Sequence, residues 1–359
     1  MKIVYFVEDY STCGGVERII TEKASRLASM YGHEVTIISA YEDSRPIRFK
    51  TGAGVNTLFL HVPMARRDAG AAIKFIGHVK ALFTAAARLD KVLRELRPDV
   101  IFFTTTLGAV LLLLCRTRAK KVYESHLARR FERRRALMIF TELRADTVVC
   151  LTEGDAADWR HARRVRVIPN FNVMPPSMVK DYGTRRAIAV GRMERQKGFD
   201  TLVDVWNIVV RHHPDWRLDI YGEGPLHREL QDKIDAYGLT DIVTLCGVSD
   251  NISERYAEHS LHLMPSRYEG LPMTLIEAQS CGLPSVAFNF RYGASDIIRD
   301  GENGLLVRQG DTPAFKDAVL KMIEHPELRE RYGQQGVLAA EKFSAANIMP
   351  EWDRLLREL

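Results

Sequence analysis

The stretch SRYEGLPMTLIEAQSCGLPSV, residues 266–286, holds two carboxylates: Glu269 in a turn rich in Gly and Pro, and Glu277 eight positions later in a run that reads as a helix. Pro272 suits the first turn of that helix, where its missing N–H costs nothing. At ~1.5 Å per residue, Glu277 then lies about 7.5 Å beyond Pro272 along the axis. It falls among Leu275, Ile276, Ala278 and Cys281, so it either belongs to an exposed face or is partnered by a ligand's hydroxyl groups. A second constellation is GRMERQKGFDTLV, residues 191–203. Arg192 and Lys197 flank a turn just before a helix beginning near Gly198, so two cations and a helix N-terminus can converge on one anion. A third is STCGGVERII, residues 11–20, where Gly14 and Gly15 precede a helix and permit close backbone approach to a ligand. The G-x-G-x-x-G spacing of a dinucleotide site is absent. No D-x-D triplet is present to hold a divalent metal against phosphates, so a bound diphosphate would be neutralised by protein cations.

Such residues act only if strand ends present them. KIVYFVE, HEVTIIS, DVIFFTT, KKVYES and DTVVCLT read as buried strands of a parallel sheet with helical stretches between most of them. The rhythm then restarts with RAIAVG, WRLDIYG, IVTLCG, LHLMPS, PSVAFN and GLLV, separated by helical stretches such as 198–213 and 225–238. Two successive doubly wound α/β units explain this pattern, with ligands expected outside the carboxyl ends of the strands. IPNFNVMPPSMVKDYGT, residues 168–184, interrupts any period and reads as the linker. The last segment, SAANIMPEWDRLLREL, is helical in pattern and can cross back onto the first unit.

A chain of 359 residues exceeds what one core usually serves. Its five cysteines (Cys13, Cys115, Cys150, Cys246, Cys281) are odd in number and scattered, which argues for a reducing compartment and thiols that fill cores. MKIVYFVEDY is too short an apolar run for a secretory signal, and LGAVLLLLC, residues 107–115, is too short to span a membrane. A cytoplasmic protein is therefore expected. The formal charge divides unevenly: residues 1–171 hold 29 Lys+Arg against 18 Asp+Glu, hence +11, and the remainder holds −6. The basic half, concentrated in ARRFERRRALMIF and RHARRVRV, points to an anionic partner: membrane lipid, a phosphorylated acceptor or nucleic acid.

The order of GGVE, then R-x4-K after a new first strand, then YGEGP (221–225), then E-x7-E, then DGENGLLV (300–307) resembles the retaining glycosyltransferases of family 4 over essentially the whole chain. The resemblance implies the GT-B fold: two Rossmann-like domains facing across a cleft, 1–171 joined by 345–359 on the acceptor side and 172–344 on the nucleotide-sugar side. It implies that Arg192 and Lys197 grip the donor diphosphate, that Glu277 accepts from the ribose hydroxyls, and that Glu269 lies by the transferred sugar. Glu269, His126, Arg192 and Lys197 would be the catalytic set. The backbones of Gly270, Leu271, Met273 and Thr274 would meet sugar and phosphates, Gly15 would admit the phosphates, and the loop from Val248 would read the base. Pro272 stands where many members carry Gly and Asp296 where a longer Glu is usual, which weakens any guess at the sugar. The expected activity is transfer of a hexose or N-acetylhexosamine from a nucleotide-diphosphate sugar, with a lean to UDP, onto a glycan or lipid-linked acceptor for cell-surface polysaccharide. Neither cofactor nor metal is expected.

Rival readings are a sugar-nucleotide 2-epimerase or a phosphorylase of the same fold, a non-catalytic sugar-nucleotide binder, and a nucleic-acid protein. The last is disfavoured because the basic runs lack interleaved aromatics beyond Phe131 and Phe140. An anionic membrane surface at the inner face of the cell membrane is the better partner for them.

Overall fold

The computed structural model describes residues 1–11, 14–41, 49–63 and 71–359. The chain divides into two units, Met1–Phe171 with Ile348–Leu359, and Asn172–Asn347.

The first unit runs β1 (Lys2–Asp9), α1 (Gly15–Tyr31), β2 (Glu34–Tyr41), β3 (Val55–Phe59), α2 (Ala71–Leu96), β4 (Val100–Phe103), α3 (Thr105–Leu114), β5 (Lys120–Glu124), α4 (Arg135–Arg144), β6 (Thr147–Cys150), α5 (Glu153–Ala156) and β7 (Val165–Val167). Its sheet is parallel with order β3-β2-β1-β4-β5-β6-β7. Helices cover both faces, so β4 and β6 are buried at every residue and read as unbroken apolar runs. α1 ends where Gly32 turns left-handed at φ 67°, its N–H returning to Ala28 O and that of His33 to Leu27 O. The apolar run at 107–115 is mostly α3, whose Leu111 and Leu112 sit in the core. No described helix is long and apolar enough to cross a membrane.

The second unit runs β8 (Arg186–Val190), α6 (Phe199–His212), β9 (Arg217–Tyr221), α7 (His227–Ala236), β10 (Val243–Gly247), α8 (Ile252–Ala257), β11 (Leu261–Met264), α9 (Met273–Ser280), β12 (Ser285–Asn289), α10 (Ala294–Ile297), β13 (Gly304–Arg308), α11 (Thr312–Glu324) and α12 (Pro326–Ala340). Its parallel sheet has order β10-β9-β8-β11-β12-β13. α6 shows why these helices form: Phe199, Leu202, Val203, Trp206 and Val209 recur on one face and are all buried.

The closing helix α13 (Ala345–Glu358) returns to the first unit. Trp352 packs edge-on against Phe102 at 5.9 Å, and Glu358 accepts from Arg166 at 2.5 Å. All eleven strands anticipated from the apolar runs are present; β3 and β7 were not anticipated. Cys115, Cys150 and Cys281 are buried free thiols, Cys246 is a partly exposed one, and Cys13 lies outside the described residues.

Candidate functional site

In the second sheet β8 and β11 are neighbours, yet the chain leaves β8 for β9 on one side and β11 for β12 on the other. This is a topological switch point, the place beyond the carboxyl ends of the strands where open α/β sheets bind ligands in a crevice. The turn after β8 carries Arg192 and Lys197; the loop after β11 carries Glu269. Backbone contacts that admit no Cβ hold the two together. Gly198, left-handed at φ 70°, lies so close to β11's loop that a Cβ would meet Pro265 O at 2.1 Å. Arg267 ties the same loops, its N–H donating to Gln196 O at 2.7 Å and its guanidinium to both oxygens of Asp200 at 2.7 and 2.9 Å. YGEGP supports the Arg192 turn from beneath: Met193 N–H donates to Glu223 O at 2.9 Å, and a Cβ on Gly222 would lie 2.0 Å from Gly191 O.

Glu269 is the best-held side chain of the crevice. Lys197 Nζ donates to its Oε1 at 2.7 Å, Ser266 Oγ to the same oxygen at 2.8 Å, and Gln196 Nε2 to Oε2 at 3.1 Å. With three donors on a buried carboxylate, the charge is compensated and its direction is set. Arg192 differs, since its side chain is 77% exposed and reaches Glu194 at 3.1 Å. Lys197 and Glu269 are thus brought together, while Arg192 stands in solvent on the same turn.

Pro272 is the N-cap of α9, one position earlier than the first-turn place expected for it. The amides of Met273 and Thr274 begin the helix and have no carbonyl of a preceding turn to reach. Thr274 Oγ1 is buried without a hydrogen-bond partner among the described residues. Glu277 is buried, so the exposed-face alternative falls; Tyr256 O–H donates to its Oε2 at 3.4 Å. Beneath the crevice His262 of β11 is fully buried, and burial together with the nearby Lys197 charge pushes its imidazole down to about 3, keeping it neutral. Leu271 is buried, Gly270 partly so, and Val248 stands 54% exposed after β10.

On the first unit, His126 lies two residues beyond β5, nine-tenths buried, with Nε2 3.2 Å from Glu124 Oε1. Gly15 opens α1, and none of the described residues lies within 4 Å of where its Cβ would sit.

Two family models match, "Glycosyltransferase Family 4" over residues 13–171 and "Glycosyl transferases group 1" over residues 174–338. The chain belongs to the family 4 glycosyltransferases. Among similar proteins are an uncharacterized glycosyltransferase of Haemophilus influenzae, 27% identical over 99% of both chains, and the amylovoran biosynthesis glycosyltransferase AmsD of Erwinia amylovora, 28% identical over 99% of both. Among solved structures, Staphylococcus aureus TarM with fondaparinux, α-GlcNAc-glycerol and UDP superposes with a TM-score of 0.83 at 15% identity, covering 99% of each chain. That likeness shows the fold, which is GT-B: two Rossmann-like parallel-sheet units in one chain.

Within this glycosyltransferase, two motif stretches turn out to be structural supports. Asp296 accepts from Gly293 N–H at 3.0 Å and so caps its own short helix. Asn303 of DGENGLLV is buried and donates to Gln279 Oε1 on α9 and to Ile297 O, both at 3.1 Å, which fastens α9 to the turn before β13. Sequence reasoning passed over Ser266, Gln196 and Tyr256, the partners of the two acids. Gln196 lay inside the R-x4-K spacing and Ser266 at a strand end, but nothing local marks which polar neighbour will turn toward a carboxylate.

Proposed function

We propose that this glycosyltransferase moves a hexose or N-acetylhexosamine, with retention of anomeric configuration, from a UDP-sugar to a glycan or lipid-linked acceptor in cell-surface polysaccharide synthesis. The observation that carries the reading is Lys197 seated against Glu269 at the switch point of the second sheet, a cation and a carboxylate side by side where a diphosphate-linked sugar needs both. Further support comes from UDP and α-GlcNAc-glycerol in the TarM structure and from the amylovoran role in the name of the Erwinia relative.

In this account Lys197 and Arg192 neutralise the diphosphate and stabilise the departing nucleotide, as preorganised cations do. Lys197 then shares its ammonium between phosphate and Glu269, while Ser266 and Gln196 keep the carboxylate aimed. Glu269 bonds the sugar's hydroxyls and supports the positive charge growing at the anomeric carbon. Glu277 accepts from the ribose, and the amides of Gly270, Leu271, Met273 and Thr274 meet sugar and phosphates. The loop at Val248 takes the base; His126 and Gly15 are the first unit's contribution to the donor. The acceptor hydroxyl attacks from the leaving group's own face: its oxygen bonds to the anomeric carbon, the carbon–phosphate-oxygen bond breaks, and the departing phosphate takes the acceptor's proton. The anomeric coupling of the product, read by NMR, is expected to match that of the donor; an inverted product rejects the mechanism. The protein cations make a metal unnecessary, so a chelator is expected to leave the rate unchanged.

The anionic partner of the basic half is read as a membrane surface. Arg94, Arg97, Arg116 and Arg118 border a cavity of about 770 Å³ in the first unit. Phe75, Ile76 and Phe83 stand exposed on α2, at spacings that share a helix side. Cations for phosphate headgroups and apolar side chains for the acyl boundary are what a peripheral contact at the inner leaflet needs.

A further inference from the structure

Lys23 and Glu124 form an ion pair with side chains 1% and 0% exposed. Lys23 comes from the middle of α1, Glu124 is the last residue of β5, and 101 positions separate them. The ammonium is enclosed by aromatic faces, with the Trp352 ring centre at 3.7 Å, Tyr5 at 5.1 Å and Phe102 at 5.9 Å. Removing two charges from water offsets most of their attraction, and packed apolar residues of similar volume would hold a core as well. Stability alone therefore does not account for the pair.

What it touches is His126. Glu124 Oε1 lies 3.2 Å from His126 Nε2, close enough for the carboxylate to favour a proton on that nitrogen although the angle is poorer than that of a full hydrogen bond. Both ring nitrogens and Glu124 Oε2 are buried with no hydrogen-bond partner among the described residues. Buried polar atoms left in that state cost free energy until something completes them. Burial alone would raise the Glu124 carboxyl, but the neighbouring Lys23 and His126 charges outweigh it and bring it to about 2, so it stays ionised. An ionised carboxylate only accepts, and a neutral imidazole that donates from Nε2 has only a lone pair at Nδ1.

We propose that the buried Lys23–Glu124 pair is a positioning device for His126: the carboxylate selects the Nε2–H tautomer and holds the ring so that Nδ1 accepts a hydroxyl of the bound sugar. Lys23 supplies the charge that lets Glu124 remain ionised in a dry site, and Trp352 of α13 covers Lys23, so the closing helix takes part in setting this histidine. The ligand half of the proposal rests on the reading above that His126 meets the donor; the tautomer half does not.

The test uses the full chain with ¹⁵N-labelled histidine. Two-bond ¹H–¹⁵N correlations report which ring nitrogen carries the proton, and His126 is assigned by its loss in His126→Gln. At a pH where the ring is neutral the parent is expected to show Nε2–H alone. Glu124→Gln presents an amide that can also donate, and the Lys23→Met/Glu124→Leu protein removes both charges while filling the space. Each is expected to mix or reverse the tautomer, and the double variant to release UDP from UDP-N-acetylglucosamine about 10- to 100-fold more slowly. An Nδ1–H ring in the parent, or an unchanged tautomer in both folded variants, overturns the positioning role. A His126→Gln protein that turns over the donor at the parent rate overturns the sugar contact instead, and leaves the tautomer result to decide the hold of Glu124.

Discussion

Lys23 and Glu124 illustrate how one residue's worth depends on its partner. Glu124→Gln leaves a buried ammonium without its counter-charge and is expected to cost about 3–5 kcal/mol, whereas Lys23→Met/Glu124→Leu should recover most of it; urea unfolding measures both. The pH dependence follows from the depressed carboxyl. With a folded value of about 2 against an ordinary 4.5, Glu124 contributes its full stabilisation above pH 4.5 and loses it as pH falls toward 2. Asp155, pushed up by burial to about 6 from 3.8, acts in the opposite sense between those values, so the Glu124 effect is read as the difference between the parent and the double variant. Little of this was legible beforehand: a Glu closing a strand-like run gives no sign that a lysine 101 positions away will meet it. Lys197 and Glu269 were legible, because each sits a fixed few residues past an apolar run and a parallel sheet places such residues on one edge. Glu277 was open in sequence, since amphipathic spacing does not separate a wet face from one buried against Tyr256.

At the level of elements, the site depends on two loops whose backbones touch. Gly198→Ala would force an L side chain into φ 70° and onto Pro265 O, so it is expected to destabilise by more than the roughly 1–3 kcal/mol of backbone strain alone. The same substitution should weaken UDP binding, because the turn carrying Lys197 must move; calorimetry and thermal unfolding of one sample separate the two effects. The six strands of the second sheet were anticipated because each holds a short, mostly apolar run bounded by turn residues, even β10 and β13 at its edges. β3 and β7 were not, because neither carries such a run. As edge strands, VNTLF alternates between half-buried and exposed, and VRV is three residues long with an outward Arg. The glycine spacings of YGEGP were visible as a motif, but their cause, a carbonyl of another turn 2.0 Å from a missing Cβ, belongs to tertiary structure.

For the molecule as a whole, the charge split of +11 and −6 was readable by counting, and the family 4 resemblance tied it to a division between the halves. What counting could not provide was the gathering of Arg94, Arg97, Arg116 and Arg118 around one cavity, since Arg94 lies in the last turn of α2, Arg97 follows that helix and the other two come from the loop before β5. Co-sedimentation with liposomes is expected to rise with their anionic-lipid fraction and to fall when these four arginines become glutamine; binding indifferent to lipid charge removes the membrane from the account. Protein cations at the switch point of the second sheet are proposed to hold a nucleotide diphosphate. Calorimetric titration of UDP into the parent and into Arg192→Ala/Lys197→Ala measures their part in binding. At a temperature where both proteins are folded, at least a 100-fold weaker Kd is expected for the variant, about 2.7 kcal/mol, with a lowered thermal midpoint because Glu269 loses its counter-charge; equal affinity for UDP in the two proteins rules the assignment out.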